Sequence, residues 1–279
     1  VSTGAFKEKN LNNILNECQT TGFQFLELSS GIKFSGSLLE KCKVLEGKMN
    51  FLIHNYFPAP PKPFVLNLAS TDPFILKLSR ELCKNAIDLC CKINSPLYTF
   101  HAGFTVDPQT LGKPFSRNNV VNRKIAFDRY IDSLWIIIDY AKSKGIKIAM
   151  EPNVVEKFNL IEGKNELLLF ADFDEIKKLY RIVSRKDVGL LLDLGHTAVT
   201  AFWLKYDKDV FVKNCQKNVF AIHISNNNGK KDQHKSLTKG CWQISKLKSF
   251  KSVPIILETM NQTIDGIRKN IELVNDVIK

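Results

Sequence analysis

The sequence lacks the features that mark several large protein classes. No run of about 18 or more apolar residues occurs, so no membrane-spanning helix is expected. The opening VSTGAF has neither a basic segment nor an apolar one behind it, so no secretory signal is read there. No glycine-rich phosphate loop follows any strand-like segment, which argues against a dinucleotide-binding open sheet. Seven cysteines form no metal-type spacing, and Cys90 and Cys91 are adjacent. Reduced thiols in a cytoplasmic protein are therefore expected. Histidine is scarce, with five in 279 residues, and acidic residues are a minority, 28 against 40 Lys and Arg. The resulting net charge of +12 reads first as a generally solvated basic surface and otherwise as a match for acidic or phosphorylated partners. Its lysines are dispersed, however, the densest spots being GKK at 229–231 and KLK at 246–248. A concentrated nucleic-acid footprint is not evident.

What is abundant is alternation. Strand-like runs at Gln24–Leu28, Asn50–His54, Leu97–His101, Ile146–Glu151, Val188–Asp193, Val219–Ser225 and Pro254–Glu258 are short and mostly apolar throughout, as parallel strands buried on both faces are. Helical patterns lie around them at Leu11–Thr20, Leu38–Leu45, Pro73–Lys92, Arg117–Lys144, Asp174–Val183, Lys208–Asn214 and Ile264–Ile278. Gly22, Gly47 and Gly145 follow as stops, and Thr71 or Asp72 precedes Pro73 as a start. An eighth strand, cut short, is implied at the extreme N-terminus, ending in VST. Eight strand–helix units in about 250–280 residues is the arithmetic of a (β/α)8 TIM barrel, here read as one domain over residues 1–279. The proline-rich stretch Pro58–Pro63 reads as a rigid loop shaping the rim of a site.

In such a barrel, polar residues at the C-terminal strand ends carry chemistry. The five histidines follow this rule rather than scattering. His54 and His101 end strand-like runs, and His223 lies near the end of another. His196 is three residues past Asp193, and His234 two past Asp232. The carboxylates Glu151, Asp193 and Glu258 each close an apolar run, where an unpaired charge would be costly. A shared cation resolves that cost. Mixed His, Asp and Glu donors suit Zn²⁺ first, with Mn²⁺ or Fe²⁺ as alternatives. Nine candidate ligands exceed what one ion needs, so two or three ions are expected. Glu27 also ends a strand, as a rim, substrate-binding or outer partner residue.

These residues, in this order, resemble the xylose-isomerase-like TIM-barrel superfamily, which holds endonuclease IV and many sugar and sugar phosphate isomerases and epimerases. The pattern falls on His54 (LIHNYF), His101 (FHAGF), Glu151 (MEPN), Asp193 and His196 (DLGH), His223 (AIHIS), Asp232 and His234 (DQH) and Glu258 (ILET). The endonuclease IV resemblance implies three zinc ions on these nine side chains. The isomerase resemblance implies a smaller set, Glu151, Asp193, His223 and Glu258. There Glu151 and Glu258 would exchange protons around a metal-stabilised enediolate and His196 would touch substrate.

The first expectation is thus a metal-dependent isomerase or epimerase of a small sugar or sugar phosphate. The alternative is a phosphodiesterase that nicks DNA at abasic sites. Departures from the nuclease pattern favour the first. The loop SSGIKFSG offers Lys33 and Phe34 but no arginine, Gln233 stands where arginine is usual, and LGHTAVT lacks a cysteine. Tyr56 and Phe57 could serve as a DNA wedge, as a sugar-stacking wall, or as packing under the proline loop. Lys230 and Lys231 are candidates to receive a phosphate.

Overall fold

A computed structural model describes residues 1–32, 40, 42, 47–60 and 62–279. The expected helix Leu38–Leu45, apart from positions 40 and 42, lies outside the described residues, as do Lys33 and Phe34. Seven strands, β1 (Phe25–Leu28), β2 (Asn50–His54), β3 (Leu97–His101), β4 (Lys147–Glu151), β5 (Gly189–Asp193), β6 (Val219–Ile224) and β7 (Ile255–Leu257), pair in parallel in sequence order. Each lies within a residue or two of its expected span. The gap between β1 and β7 is bridged by the N-terminus. Glu27 N–H donates to Val1 O at 2.8 Å, and Ser2 N–H donates to Leu257 O at 2.9 Å. The eighth strand is therefore present as a single parallel bridge, Ser2 to Glu27. The fold is a nearly closed TIM barrel.

The period of two in a strand explains what the barrel holds. Outward residues such as Ile53, Tyr98, Phe100, Ile148, Met150, Leu190, Leu192, Ile222, Ile224 and Leu257 join the main core beneath the helices. Inward residues one step away, Leu97, Ala149, Leu191, Ala221 and Ile256, with Leu52, make a separate apolar plug inside the barrel. Two residues further along those strands (four in β3), the same inward phase delivers His54, His101, Glu151, Asp193, His223 and Glu258. The apolar plug closes the barrel below, and the ionisable layer sits on it at the C-terminal mouth.

Eight helices are described: α1 (Leu11–Thr21), α2 (Pro73–Lys92), α3 (Arg123–Lys144), α4 (Phe173–Ile182), α5 (Leu194–Leu204), α6 (Lys208–Cys215), α7 (Trp242–Lys246) and α8 (Ile264–Ile278). Asp72 caps α2, accepting from Phe74 N and Ile75 N, with Pro73 in the first turn. Gly145 ends α3 in the left-handed conformation. Helix α3 starts six residues later than expected. Asn122 takes the cap, accepting from Lys124 N at 2.9 Å, while Val121 N is tied to Thr105 O. Helices α5 and α7 were not expected. In α5 the amphipathic signal is missing because the helix is buried on nearly all sides, and Asp193 both ends β5 and caps it. No helix among the described residues is long and apolar enough to cross a membrane, and none of the seven cysteines is in a disulfide.

Candidate metal centre

All nine expected ligands converge at the mouth. Glu151 is the hub, 1% exposed. Its Oε1 lies 3.0 Å from His196 Nδ1 and 3.9 Å from His223 Nδ1, and its Oε2 lies 3.5 Å from His54 Nε2 and 3.6 Å from His101 Nδ1. Glu258 Oε2 lies 3.1 Å from His223 Nδ1 and 3.7 Å from His234 Nδ1. Asp232 Oδ2 lies 2.9 Å from His234 Nε2 and 3.2 Å from His196 Nε2. The donor atoms sort into overlapping groups with cation-sized spacing. These are His54–His101–Glu151, Glu151–Asp193–His223–Glu258 and His196–Asp232–His234, with Glu27–His54–His223 as a further combination.

Both oxygens of Glu151, Asp193 Oδ2, His196 Nδ1, His223 Nδ1, Asp232 Oδ1 and Glu258 Oε2 are buried and make no well-aligned hydrogen bond. Buried polar groups are ordinarily satisfied, so a patch of such atoms facing one another fits divalent cations. The imidazoles are also held as ligands are, with one nitrogen bonded outward. His54 Nδ1 lies 2.8 Å from Thr99 Oγ1, His223 Nε2 lies 2.8 Å from Glu27 Oε2, and His234 Nδ1 lies 3.0 Å from Glu258 O.

The electrostatics of the layer follow from burial and crowding. Burial alone would raise the Glu151 carboxyl, but His101, His196 and His54 hold it down at about 2. Burial lifts Asp193 to about 6 against the pull of His196. It drives His101 down to about 4, opposed by Glu151. Burial would also lower His234, but its hydrogen bond to Asp232 and that carboxylate's charge carry it up to about 9. The layer therefore holds protons that a cation would have to displace.

The backbone around the site is fixed by side chains the sequence reading did not single out. Asn67 Nδ2 donates to Phe104 O, Val106 O and Asp107 Oδ1 while its Oδ1 accepts from Ala69 N and Phe104 N, joining the loops after β2 and β3. Asn153 Nδ2 donates to Gly103 O and Leu169 O. The Gly of DLGH is required by close approach, since a methyl on Gly195 would lie 2.8 Å from Ser225 Oγ and 3.0 Å from Asp193 Oδ1. The loop that presents Asp232 and His234 is built from Asn226–Asn228. Asn227 Oδ1 accepts from Gly229 N, Asn228 Oδ1 from Lys230 N and Lys231 N, and Glu156 Oε1 from Asp232 N at 2.6 Å. Gln233 points into this loop, accepting from Asn228 N. The signal for Thr99 was available, because it shares the inward phase of His101.

The other expected site residues are placed differently. Phe57 is 1% exposed and belongs to the core, so the expected stacking or wedge surface is corrected to packing. The Tyr56 hydroxyl accepts from Leu66 N, and its ring meets Phe64 edge-on, which likewise ties it beneath the proline loop. Glu27 is 2% exposed and bonded to His223 rather than open to a substrate at the rim. Lys230 rests its ammonium over Phe202, 5.1 Å from the ring centroid, and Lys231 is exposed beside it.

The model of the xylose isomerase-like TIM barrel family matches residues 7–277. This chain belongs to that family. Within it, curated relatives lean toward nucleases. The probable endonuclease 4 of Buchnera aphidicola is 25% identical over 284 residues, covering 94% of this chain and 92% of that one. The apurinic-apyrimidinic endonuclease 1 of Plasmodium falciparum is 25% identical over 248 residues, covering 81% of this chain. This chain spans only about a third of that longer relative, 36%. Solved structures lean toward epimerases. A D-tagatose 3-epimerase-like protein superposes with a TM-score of 0.72 at 19% identity, covering 100% of this chain and 98% of the other. A Thermus thermophilus protein soaked with ZnCl2 superposes with a TM-score of 0.64 at 16% identity, covering 99% of this chain and 98% of the other. At such identities the superpositions establish the fold.

Proposed function

We propose that this barrel is a metal-dependent isomerase or epimerase of a sugar or sugar phosphate. The observation that carries the reading is the group Glu151, Asp193, His223 and Glu258. Its two glutamates stand on β4 and just past β7, three places apart in the strand order, and approach the group from different sides of the mouth. A substrate carbon between them would meet one carboxylate on each face, the arrangement a proton removal and return requires. Zinc, manganese or iron held by these four residues would supply positive charge against the negative charge developing on neighbouring substrate oxygens. Glu151, held ionised, suits the accepting role. Both Glu151 oxygens and Glu258 Oε2 lack other hydrogen-bond partners, and His196 stands 3.0 Å from Glu151, near enough to contact a substrate hydroxyl. Lys230 and Lys231 at the loop tip are candidates for a phosphate end.

A second reading is favoured by one specific observation. One-metal enediolate chemistry leaves His54–His101 and Asp232–His234 without a task, whereas three adjoining cation sites suit phosphodiester cleavage at abasic DNA. Against it, the aromatic pair available as a wedge is packed away, Phe57 entirely.

The test is direct. The full chain, loaded separately with zinc and manganese, is incubated in deuterated water with ketoses and their phosphates, and in parallel with an abasic duplex. Deuterium entering the carbon beside the carbonyl, lost in Glu258→Gln, supports the isomerase. Duplex nicking without any exchange, also lost in Glu258→Gln, establishes the nuclease instead.

A further inference from the structure

Glu27 stands outside the nine ligands yet is as buried as they are. Its Oε2 lies 2.8 Å from His223 Nε2, and its Oε1 has no hydrogen-bond partner. His223 is wholly buried, and its other nitrogen, Nδ1, faces Glu258 Oε2 at 3.1 Å and Glu151 Oε1 at 3.9 Å. The backbone of Glu27 is fixed independently of its side chain, through Glu27 N–H to Val1 O and the parallel bridge to Ser2. A lone buried carboxylate is expensive, and nothing in the apolar packing of β1 calls for one.

We propose that Glu27 is the positioning residue for His223. It accepts the Nε2 proton and thereby leaves the Nδ1 lone pair directed into the Glu151–Asp193–His223–Glu258 group. The assignment rests on the reading of that group as a cation site. It gives the buried carboxylate a reason: an imidazole that donates to a carboxylate is fixed in orientation and becomes a more basic ligand. The bridge from Ser2 that helps close the barrel also fixes the backbone of Glu27 beside His223. His54 has only the neutral Thr99 hydroxyl in the corresponding role, so of these two histidines the charged partner is placed at the group holding both glutamates.

The experiment is a zinc titration against a competing chelator on the full chain, comparing wild type, Glu27→Gln and Glu27→Leu, with thermal melting of the zinc-free proteins alongside. Loss of an outer partner of a ligating histidine costs about 10–100-fold in affinity. One class of zinc site should weaken by that factor in Glu27→Leu and by less in Glu27→Gln, whose amide oxygen still accepts from Nε2–H. The remaining sites should be unchanged. Partial rescue by Gln is a signature that simple loss of packing does not give. Tight zinc binding by wild type with unchanged affinity in folded Glu27→Leu, or an equal loss in Glu27→Leu and Glu27→Gln, would overturn this assignment alone. Failure of wild type to bind zinc would overturn the cation site and the assignment with it.

Discussion

Asp193 does two jobs that a single substitution separates. Its Oδ1 accepts from His196 N–H at 2.8 Å and caps α5, while its Oδ2 faces the cation group without a hydrogen bond. Asparagine caps a helix about as well as aspartate, whereas alanine loses about 0.5–2 kcal/mol. Burial also lifts the Asp193 carboxyl from its ordinary 3.8 to about 6. With the folded value raised, the protonated form is favoured on folding, so this group's contribution declines as pH rises through about 4 to 6 and stays low above that. Asp193→Asn removes that decline. The metal-free Asn variant should therefore melt at or above the wild-type temperature at pH 7.5, and Asp193→Ala, which sheds the same charge but loses the cap, clearly below the Asn variant. With zinc the order changes. At a free concentration a thousand times Kd, binding adds about 4.1 kcal/mol. Losing a direct ligand should cost at least the 10–100-fold typical of an outer partner, so roughly 1.4–2.8 kcal/mol of that gain disappears. For a chain of this size that is several degrees, at about 2–4 °C per kcal/mol. Scanning calorimetry with and without zinc reads both effects. Equal melting of the metal-free Asn and Ala variants would refute the capping role. An undiminished zinc shift in Asp193→Asn would refute the ligand role.

Two further outcomes follow from the same geometry. The His234 imidazole is raised from 6.5 to about 9 through Asp232, so its stabilisation of the metal-free fold is complete below pH 6.5 and fades as pH rises through 9. Zinc must displace that proton and the one carried by His196, so affinity at His196–Asp232–His234 should climb by more than about tenfold per pH unit toward 9, a slope that His234→Asn should reduce by one proton in titrations at pH 6–9. Away from the mouth, Arg123 pairs with Glu175 at 2.6 and 2.9 Å and also donates to Asn165 O and Leu168 O, bracing the loop after β4. Arg123→Ala leaves the buried Glu175 carboxylate only the Phe170 N–H and should cost up to about 3 kcal/mol. Removing Glu175 as well should cost less than the sum of the singles by denaturant unfolding, and strict additivity would count against the pair.

The barrel and the ionisable layer at its mouth were readable in the sequence for a common reason. Strands buried on both faces appear as continuous apolar runs, and a charged residue closing such a run can only be at the mouth. His54, His101, Glu151 and Asp193 satisfied that rule, as His223 and Glu258 nearly did. The loop residues Asp232 and His234 were singled out by their spacing, and the family resemblance added that the loop returns to the mouth, which local sequence does not say. What escaped was whatever depends on three-dimensional enclosure. Helix α5 is apolar on almost every side and shows no face, and Asp193 at its start reads equally as a strand end. Tyr56 and Phe57 look like surface aromatics beside prolines, yet the loop folds them inward. Asn67, Asn153 and Glu156 bind backbone atoms far along the chain, which no local pattern announces. Glu27 was visible as a strand-end carboxylate, but its partner His223 lies 196 residues away.

The central claim is that the nine side chains at the mouth hold divalent cations. Elemental analysis of the purified full chain, dialysed after exposure to zinc, tests it most directly. Two to three tightly held ions per chain are predicted, with at least one lost in Asp232→Ala. Less than one ion per wild-type chain would contradict the account.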